Sequence, residues 1–335
     1  MMEENRQVLI DSLPGGKLEI TNYKLHQSPV PVAGDGEVLC RTLWVTVAAG
    51  ARAGLQGSAS YAGAPKTGVV MNGAAVATVV ASQASGFSEG DLVVCNAGWQ
   101  DYSVHSASVL QKIEGSVDPV HHLGVLGTNG VTAYFGLLDI GKPKAGETVL
   151  VSACGGSVGH IVAQLAKLKG CRVVGTAGSD AKAQKLQAQL GIDAVVNYKS
   201  PDFRQLLKEA TPDGIDVYFD NTGGDILGSA LFRMNEHGRI ACCGVVSQYD
   251  TSSPSPGPKG IPGLLVNKRI TMRGFLVFDY KERYGEAKKQ LSEWIESGKL
   301  TPLVDEVIGL ENAPDAFDDL LAGGNIGTRV IRVSE

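Results

Sequence analysis

No stretch of the chain comes near the ~18 consecutive apolar residues that a membrane-spanning helix needs. The start, Met1-Met2-Glu3-Glu4, is acidic and has no long apolar run behind it, so a secretory leader is not expected. Paired cysteine spacing is missing as well. Six cysteines stand at positions 40, 95, 154, 171, 242 and 243 with no Cys-x-x-Cys among them. Thiols so dispersed read as reduced and cytoplasmic, not as a disulfide framework. A basic face is lacking: Lys and Arg total 30 against 35 Asp and Glu, a net charge of −5. That balance speaks against nucleic-acid or anionic-membrane partners. There is no Gly-x-Ser-x-Gly elbow, no P-loop, no convincing Ser/His/Asp set, no internal repeat and no low-complexity tail. The six histidines and scattered thiols form no recognisable zinc-ligand set, and His121-His122 reads as a solvated pair ahead of a helix. No metal is expected.

What the chain does have is glycine. It holds 43 among 335 residues, roughly twice the usual share, dispersed and without a collagen period. Many tight turns and close approaches of backbone to ligand suit such a composition. Hydrophobic residues make up 43% and charged residues 19%, enough for a sizeable core in two domains.

The first ~125 residues are β-rich. Gly36-Glu37 leads into the run Val38–Val45, and Gly90-Asp91 into Leu92-Val93-Val94. From Thr148 strands alternate with helices. Strands are expected at 148–153, 171–176, 194–198, 215–220 and 239–243, with helices at 158–165, 179–190, 203–210 and 226–234. Val158, Ile161, Val162 and Leu165 fall on one helical stripe, and Gly191 supplies a stop. This alternation predicts an α/β fold: a β-rich domain plus a Rossmann-type, doubly wound parallel sheet. The loop Ser252–Pro258 reads either as a passive linker or as a flap over a site.

Ala153-Cys154-Gly155-Gly156-Ser157-Val158-Gly159 sits where a strand hands over to a helix. Glycines there let backbone approach a pyrophosphate, and the helix N-terminus offers N–H groups and the positive end of its dipole. Cys154 takes the place of the first fingerprint glycine. An NAD site ordinarily carries a carboxylate about 20 residues further on. Here the strand ends in neutral Thr176-Ala177-Gly178-Ser179, and Lys182 follows. That pattern favours the 2′-phosphate of NADP, while the alternative is that Asp180 reads a ribose hydroxyl and Lys182 is a solvated charge. Tyr61, Tyr249 and Asn221 are the polar candidates in loops or at strand ends.

Glu147–Gly175, Pro212–Gly224 and Gly274–Tyr280 resemble the medium-chain dehydrogenase/reductase superfamily, in its prostaglandin reductase and alkenal/one double-bond reductase branch. Further matching motifs, Gly98–Tyr102, Leu123–Gly127, Thr132–Gly136 and Leu310–Pro314, extend the likeness over nearly the whole chain. The resemblance implies a GroES-like catalytic domain from 1–127 and 302–335 around a Rossmann NADP-binding domain at 128–301, usually as a homodimer and without zinc. Where zinc-dependent relatives carry Gly-His-Glu, this chain has Gly68-Val69-Val70.

By the same resemblance, Gly156, Ser157, Val158 and Gly159 would meet the pyrophosphate of NADP(H), and Lys182 and Tyr198 the 2′-phosphate. Asn221, the loop residues Cys243, Gly244, Val245, Ser247 and Tyr249, then Phe275, Leu276, Val277 and Asn325 would surround the nicotinamide half. The implied activity is hydride addition to the β-carbon of an α,β-unsaturated ketone or aldehyde, with Tyr249 and Tyr61 as catalytic candidates. A quinone reductase and an NADPH-binding regulatory protein are the alternatives. Segments 47–52 and 68–73 and Asn129 depart from the branch pattern on the substrate-facing side, so an altered, roomier pocket is expected.

Overall fold

In the computed structural model, residues 4–59, 63–253 and 257–334 are described. They separate into two compact units. One comprises Met1–Leu123, Asp250–Ser252 and Val304–Glu335; the other comprises Gly124–Tyr249 and Ser253–Leu303.

The N-terminal stretch lays down β1 (Glu4–Ile10), β2 (Tyr23–Pro29), β3 (Glu37–Thr46), the short helix α1 (Gly50–Leu55), β4 (Ala75–Ser82), β5 (Leu92–Cys95), β6 (Tyr102–Ser106) and β7 (Gln111–Lys112). Side chains alternate across a strand, and β3 shows why this region folds as sheet. Val38, Cys40, Thr42 and Val45 are buried, while Arg41 faces solvent. β3 pairs antiparallel with both β4 and β6, and β1 with β2 in a separate hairpin.

The chain then builds the second unit from α2 (Thr128–Phe135), β8 (Thr148–Val151), α3 (Gly159–Leu168), β9 (Arg172–Ala177), α4 (Asp180–Leu190), β10 (Ala194–Asn197), α5 (Phe203–Ala210), β11 (Ile215–Asp220), α6 (Gly224–Arg233), β12 (Met234–Cys242), α7 (Ile261–Lys268), β13 (Thr271–Gly274) and α8 (Tyr284–Glu296). Its six strands run in the order β10-β9-β8-β11-β12-β13. Every pairing is parallel. All four residues of β8 are buried, as a strand covered on both faces requires. The order reverses between β8 and β11, and in such sheets ligands bind beyond the carboxyl ends of the strands at that reversal. Leu150, Val174, Tyr218, Leu231 and Ile240 lie at the heart of this unit's core.

The chain ends in the first unit with β14 (Val304–Ile308), α9 (Ala313–Leu321) and β15 (Thr328–Arg332). β15 pairs parallel with β14 and antiparallel with β3, so the C-terminus closes a seven-stranded sheet begun by the N-terminal strands. Trp99 and Phe317 meet edge to face in its core, 5.9 Å between centroids.

Several boundaries differ from the sequence expectation. β8 stops at Val151, because Ser152 and Ala153 already belong to the turn, where Ala153 takes a φ of 48°. β12 begins at Met234, five residues before the expected Arg239, and its pairing with β11 is irregular between Ile215 and Val217. His121 and His122 are half-buried in a 3-10 turn, Pro119–Leu123, and not fully exposed as a solvated pair would be; burial lowers the His121 pKa against the pull of Asp118. Part of the Ser252–Pro258 loop lies outside the described residues. Among the described residues no helix is long and apolar enough to cross a membrane.

Candidate functional site

The turn between β8 and α3 is built so that backbone is its surface. A Cβ on Gly159 would stand 2.1 Å from the Ala153 carbonyl oxygen, and one on Gly155 would stand 2.7 Å from Leu186 Cδ1. Gly156 donates to the Ala153 carbonyl at 2.9 Å and its own carbonyl accepts from His160 N at 3.1 Å, which tightens the turn into the first turn of α3. Cys154 fits at the first fingerprint position because its neighbour on β9 is Gly175, where a Cβ would lie 2.3 Å from Cys154 Sγ. Burial pushes the Cys154 thiol up to about 12 against the pull of the Lys182 ammonium, so it stays protonated at neutral pH.

Lys182 lies beside this turn. Its Cε is 3.0 Å from where a Gly155 Cβ would be. Ser179, with extended backbone, caps α4 by accepting from Lys182 N at 3.2 Å. Asp180 accepts from Asn197 Nδ2 at 3.1 Å, so one of its carboxylate oxygens is engaged within the chain. Gly178 leaves space for Tyr198, whose hydroxyl would be 3.4 Å from a Cβ there, and for Lys199 Cε at 3.6 Å. Lys199 Nζ sits 5.9 Å from the Tyr198 ring centre. The neutral end of β9 is thus flanked by Lys182, Tyr198 and Lys199. Sequence reasoning missed Lys199, although it directly follows Tyr198. The donor set matches a phosphate monoester: ammonium groups, a phenol and a helix N-terminus.

At the sheet reversal the ends of β8 and β11 are joined by side chains. Asn221 donates its backbone N–H to Ser152 Oγ at 2.9 Å and its Nδ2 to the Ser152 carbonyl at 2.8 Å. Asp220 Oδ1 accepts from the Tyr218 hydroxyl at 2.7 Å and from the N–H groups of Thr222 and Gly223 at 3.0 and 2.8 Å. This buried carboxylate holds the turn that enters α6, where helix N–H groups favour negative charge. Burial, then the Asp220 charge, raise the Tyr218 hydroxyl well above its ordinary value.

The Cys243–Tyr249 loop hangs on the same turn. Cys243 N and Gly244 N donate to the Asp220 carbonyl at 2.8 and 3.2 Å, and Ser247 N donates to the Thr222 carbonyl at 3.1 Å. Val245 Cγ2 lies 3.1 Å from where a Gly223 Cβ would be. Burial and Asp220 push the Cys243 thiol up to about 12. Tyr249 is half-buried and closes a 3-10 turn through its N–H to Val246 O at 3.1 Å. Phe275 meets Phe219 edge-on at 6.4 Å and covers Gly136. Val277 is buried and Leu276 exposed.

Gly156–Gly159, Lys182, Tyr198, Asn221, the Cys243–Tyr249 loop and Phe275–Val277 therefore share one unit. Asn325 belongs to the other, buried in the turn before β15 with Nδ2 donating to the Gly327 carbonyl at 2.9 Å. Tyr61 lies outside the described residues. In the first unit Arg52 is buried, 3.2 Å from Asp250 Oδ1, and also donates to the Gly16 carbonyl. Gly68 takes a φ of 72°, and the Val69 carbonyl accepts from Ile10 N at 2.9 Å. Among the described residues no group of three or more His, Cys, Asp or Glu side chains could hold a metal ion. The described residues do not fit a zinc site.

Residues 157–296 match the zinc-binding dehydrogenase family, and residues 6–113 match the family described as the N-terminal domain of oxidoreductase. The NADPH-dependent curcumin reductase of Escherichia coli (strain K12) is 39% identical over 337 residues, covering 99% of this chain and 98% of its own. The NADP(+)-dependent 2-alkenal reductase of Nicotiana tabacum is 39% identical over 347 residues, covering 100% of this chain and 99% of its own. The crystal structure of CurA in complex with NADPH from Vibrio vulnificus superposes with a TM-score of 0.94 at 39% identity, covering 98% of this chain and 99% of that one.

Proposed function

Because the chain belongs to the medium-chain dehydrogenase/reductase superfamily, in its double-bond-reductase branch, we propose that it reduces the C=C bond of α,β-unsaturated ketones and aldehydes. It is an NADP-dependent oxidoreductase. The observation that carries the cofactor half is the neutral end of β9 flanked by Lys182, Tyr198 and Lys199 beside the glycine turn. The names of the relatives support the substrate class: a 2-alkenal is an enal.

Bound NADPH supplies the hydride that reaches the β-carbon. The chain supplies position and electrostatics. Gly156, Ser157, Val158 and Gly159 receive the pyrophosphate on N–H groups and helix dipole. Lys182 and Tyr198 hold the 2′-phosphate by charge-assisted hydrogen bonds. Asn221, the Cys243–Tyr249 loop and Phe275–Val277 bound the nicotinamide half. Negative charge develops on the substrate carbonyl oxygen as the β-carbon is reduced. A donor aimed there in advance lowers the barrier. The Tyr249 hydroxyl is that donor, with Tyr61 a second candidate, and the α-carbon then takes its proton from water or a tyrosine hydroxyl. Holding the two reacting carbons in near-attack geometry accounts for much of the rate.

The protein works as a cytoplasmic homodimer in this reading. β13 is the open edge of the six-stranded sheet, with Thr271, Arg273 and Gly274 exposed, and Val266 on the adjoining α7 is 74% exposed. An unpaired strand edge beside apolar surface is a ready template for a second copy. The activity is tested by NADPH oxidation with enals, cyclic enones, chalcones and quinones, with product analysis. Saturated carbonyl products are expected. Turnover of quinones alone would mark a quinone reductase, and NADPH binding without turnover on any of them would mark a regulatory protein.

A further inference from the structure

Two polar side chains lie within the buried face of α3, His160 at 1% exposure and Gln164 at 8%. They stand four residues apart, one above the other on the helix. Burying polar groups there costs free energy unless each finds a partner. The partners come from Thr301–Leu303, the last residues of this unit before Val304 opens β14 in the other. Gln164 Nε2 donates to the Thr301 carbonyl at 3.0 Å, and its Oε1 accepts from Thr301 N at 2.8 Å. His160 Nε2 accepts from Leu303 N at 3.2 Å, across 143 residues of sequence. Pro302 has no N–H, so every amide donor of this irregular segment ends on α3. The other side of the imidazole faces the glycine turn, with Nδ1 2.9 Å from the Gly156 carbonyl. A carbonyl can only accept and a backbone N–H can only donate, so Nδ1 carries the proton and Nε2 the lone pair. Gln164 docks the segment on the helix; the imidazole adds a connection from that segment to Gly156.

We propose that His160 is a positioning residue that transmits occupancy of the Gly156–Gly159 turn to Thr301–Leu303, the segment through which the chain leaves this unit. The inference rests on the reading above, in which the cofactor's pyrophosphate sits on that turn. An anion on the turn's N–H groups holds Gly156 in place, and with it the carbonyl that anchors Nδ1–H. The ring is then fixed, and the Leu303 N–H is held more tightly. Linkage makes the effect mutual: the factor by which the cofactor steadies Leu303 returns as cofactor affinity.

The test is amide hydrogen exchange on the full chain, read in fragments that separate Leu303 from Thr301 and in fragments that cover the glycine turn. The protein is compared free, with NADPH, and with 2′-AMP, which carries the 2′-phosphate but no pyrophosphate. In the wild type NADPH should slow exchange at Leu303 about fivefold, the low end of coupling between sites, and 2′-AMP should leave it unchanged. His160→Asn keeps a donor for Gly156 but is too short to reach Leu303, whereas His160→Gln reaches Leu303 and gives up Gly156. Each should abolish the NADPH-dependent slowing at Leu303 and weaken NADPH binding about fivefold, with 2′-AMP binding nearly unchanged. Leu303 exchange that ignores NADPH in the wild type, while the Gly156–Gly159 amides slow, overturns the inference and leaves the cofactor reading standing. Slowing that persists in both variants overturns it too, and if either variant fails to fold the wild-type comparison still decides. If NADPH slows neither the turn nor Leu303, the cofactor reading fails, and this inference with it.

Discussion

Cys154 and Gly175 make a complementary pair whose logic neither residue shows alone. The sequence shows a cysteine where the nucleotide fingerprint has glycine, but not that β9 has given up a side chain opposite it. A Cβ on Gly175 would stand 2.3 Å from Cys154 Sγ and 2.8 Å from Cys154 Cβ. Gly175→Ala should therefore destabilise the protein by about 1–3 kcal/mol, the cost of overpacking a filled core. Adding Cys154→Gly should recover most of that loss in chemical denaturation; no recovery would mean the strain lies elsewhere. The place of Lys182 close to the glycine turn could be anticipated from its spacing after the strand, whereas that of Lys199 could not, because only the fold brings the end of β10 beside Gly178. Lys182→Ala should raise the KM for NADPH roughly 10- to 100-fold, the worth of a charge-assisted hydrogen bond, and barely change that for NADH. Equal effects on both would remove the phosphate assignment. Tyr249→Phe should lower enone turnover roughly 10- to 100-fold with NADPH binding mostly retained, as loss of one hydroxyl donor to the developing oxyanion requires. Unchanged turnover would exclude Tyr249 from the chemistry.

Elements with strong periodicity were the readable ones. Gly191 stops α4 as expected, at a φ of 60°, and Ser179 caps its start. α5 and β11 match their expected limits. β13 escaped because four residues at an exposed edge carry no alternation. The wide helical turn at Gly136–Gly141 escaped as well; it continues α2, and Lys142 ends it at a φ of 47°. Gly136 there admits Phe275, a contact between segments far apart in sequence. The open edge of β13 leads to a prediction of its own. Val266→Asp should shift sedimentation from dimer toward monomer while the circular dichroism stays the same. A wild-type protein that sediments as a monomer at every concentration would contradict the proposed association.

Across the whole molecule, the α/β alternation and the two-domain plan of the superfamily were written in the sequence, while the substrate-facing side was not. That side depends on loops from distant segments, and Tyr61 lies outside the described residues. Stability against acid is also a property of the assembled chain. Glu147 pairs with Arg239 across 92 residues, at 3.1 Å from Oε1 to Nη1. Burial works to raise its pKa, yet Arg239 and the Lys144 N–H outweigh that and hold it below 4.5. Asp193 is likewise held below 3.8, burial being outweighed by the Val173 N–H and Lys167. A depressed carboxylate contributes stability that is present above its unfolded pKa and lost as pH falls through its folded one. The melting temperature should be steady above about pH 5 and drop as pH falls below ~4. Arg239→Gln should flatten that drop, and an unchanged slope would show that other groups govern it.

The most direct measurement follows the hydride. NADPH deuterated at the transferable C4 position is reacted with an enone, and the product is read by NMR and mass spectrometry. Deuterium on the β-carbon of a saturated ketone is the predicted result. Deuterium on the former carbonyl carbon of an allylic alcohol would contradict the account.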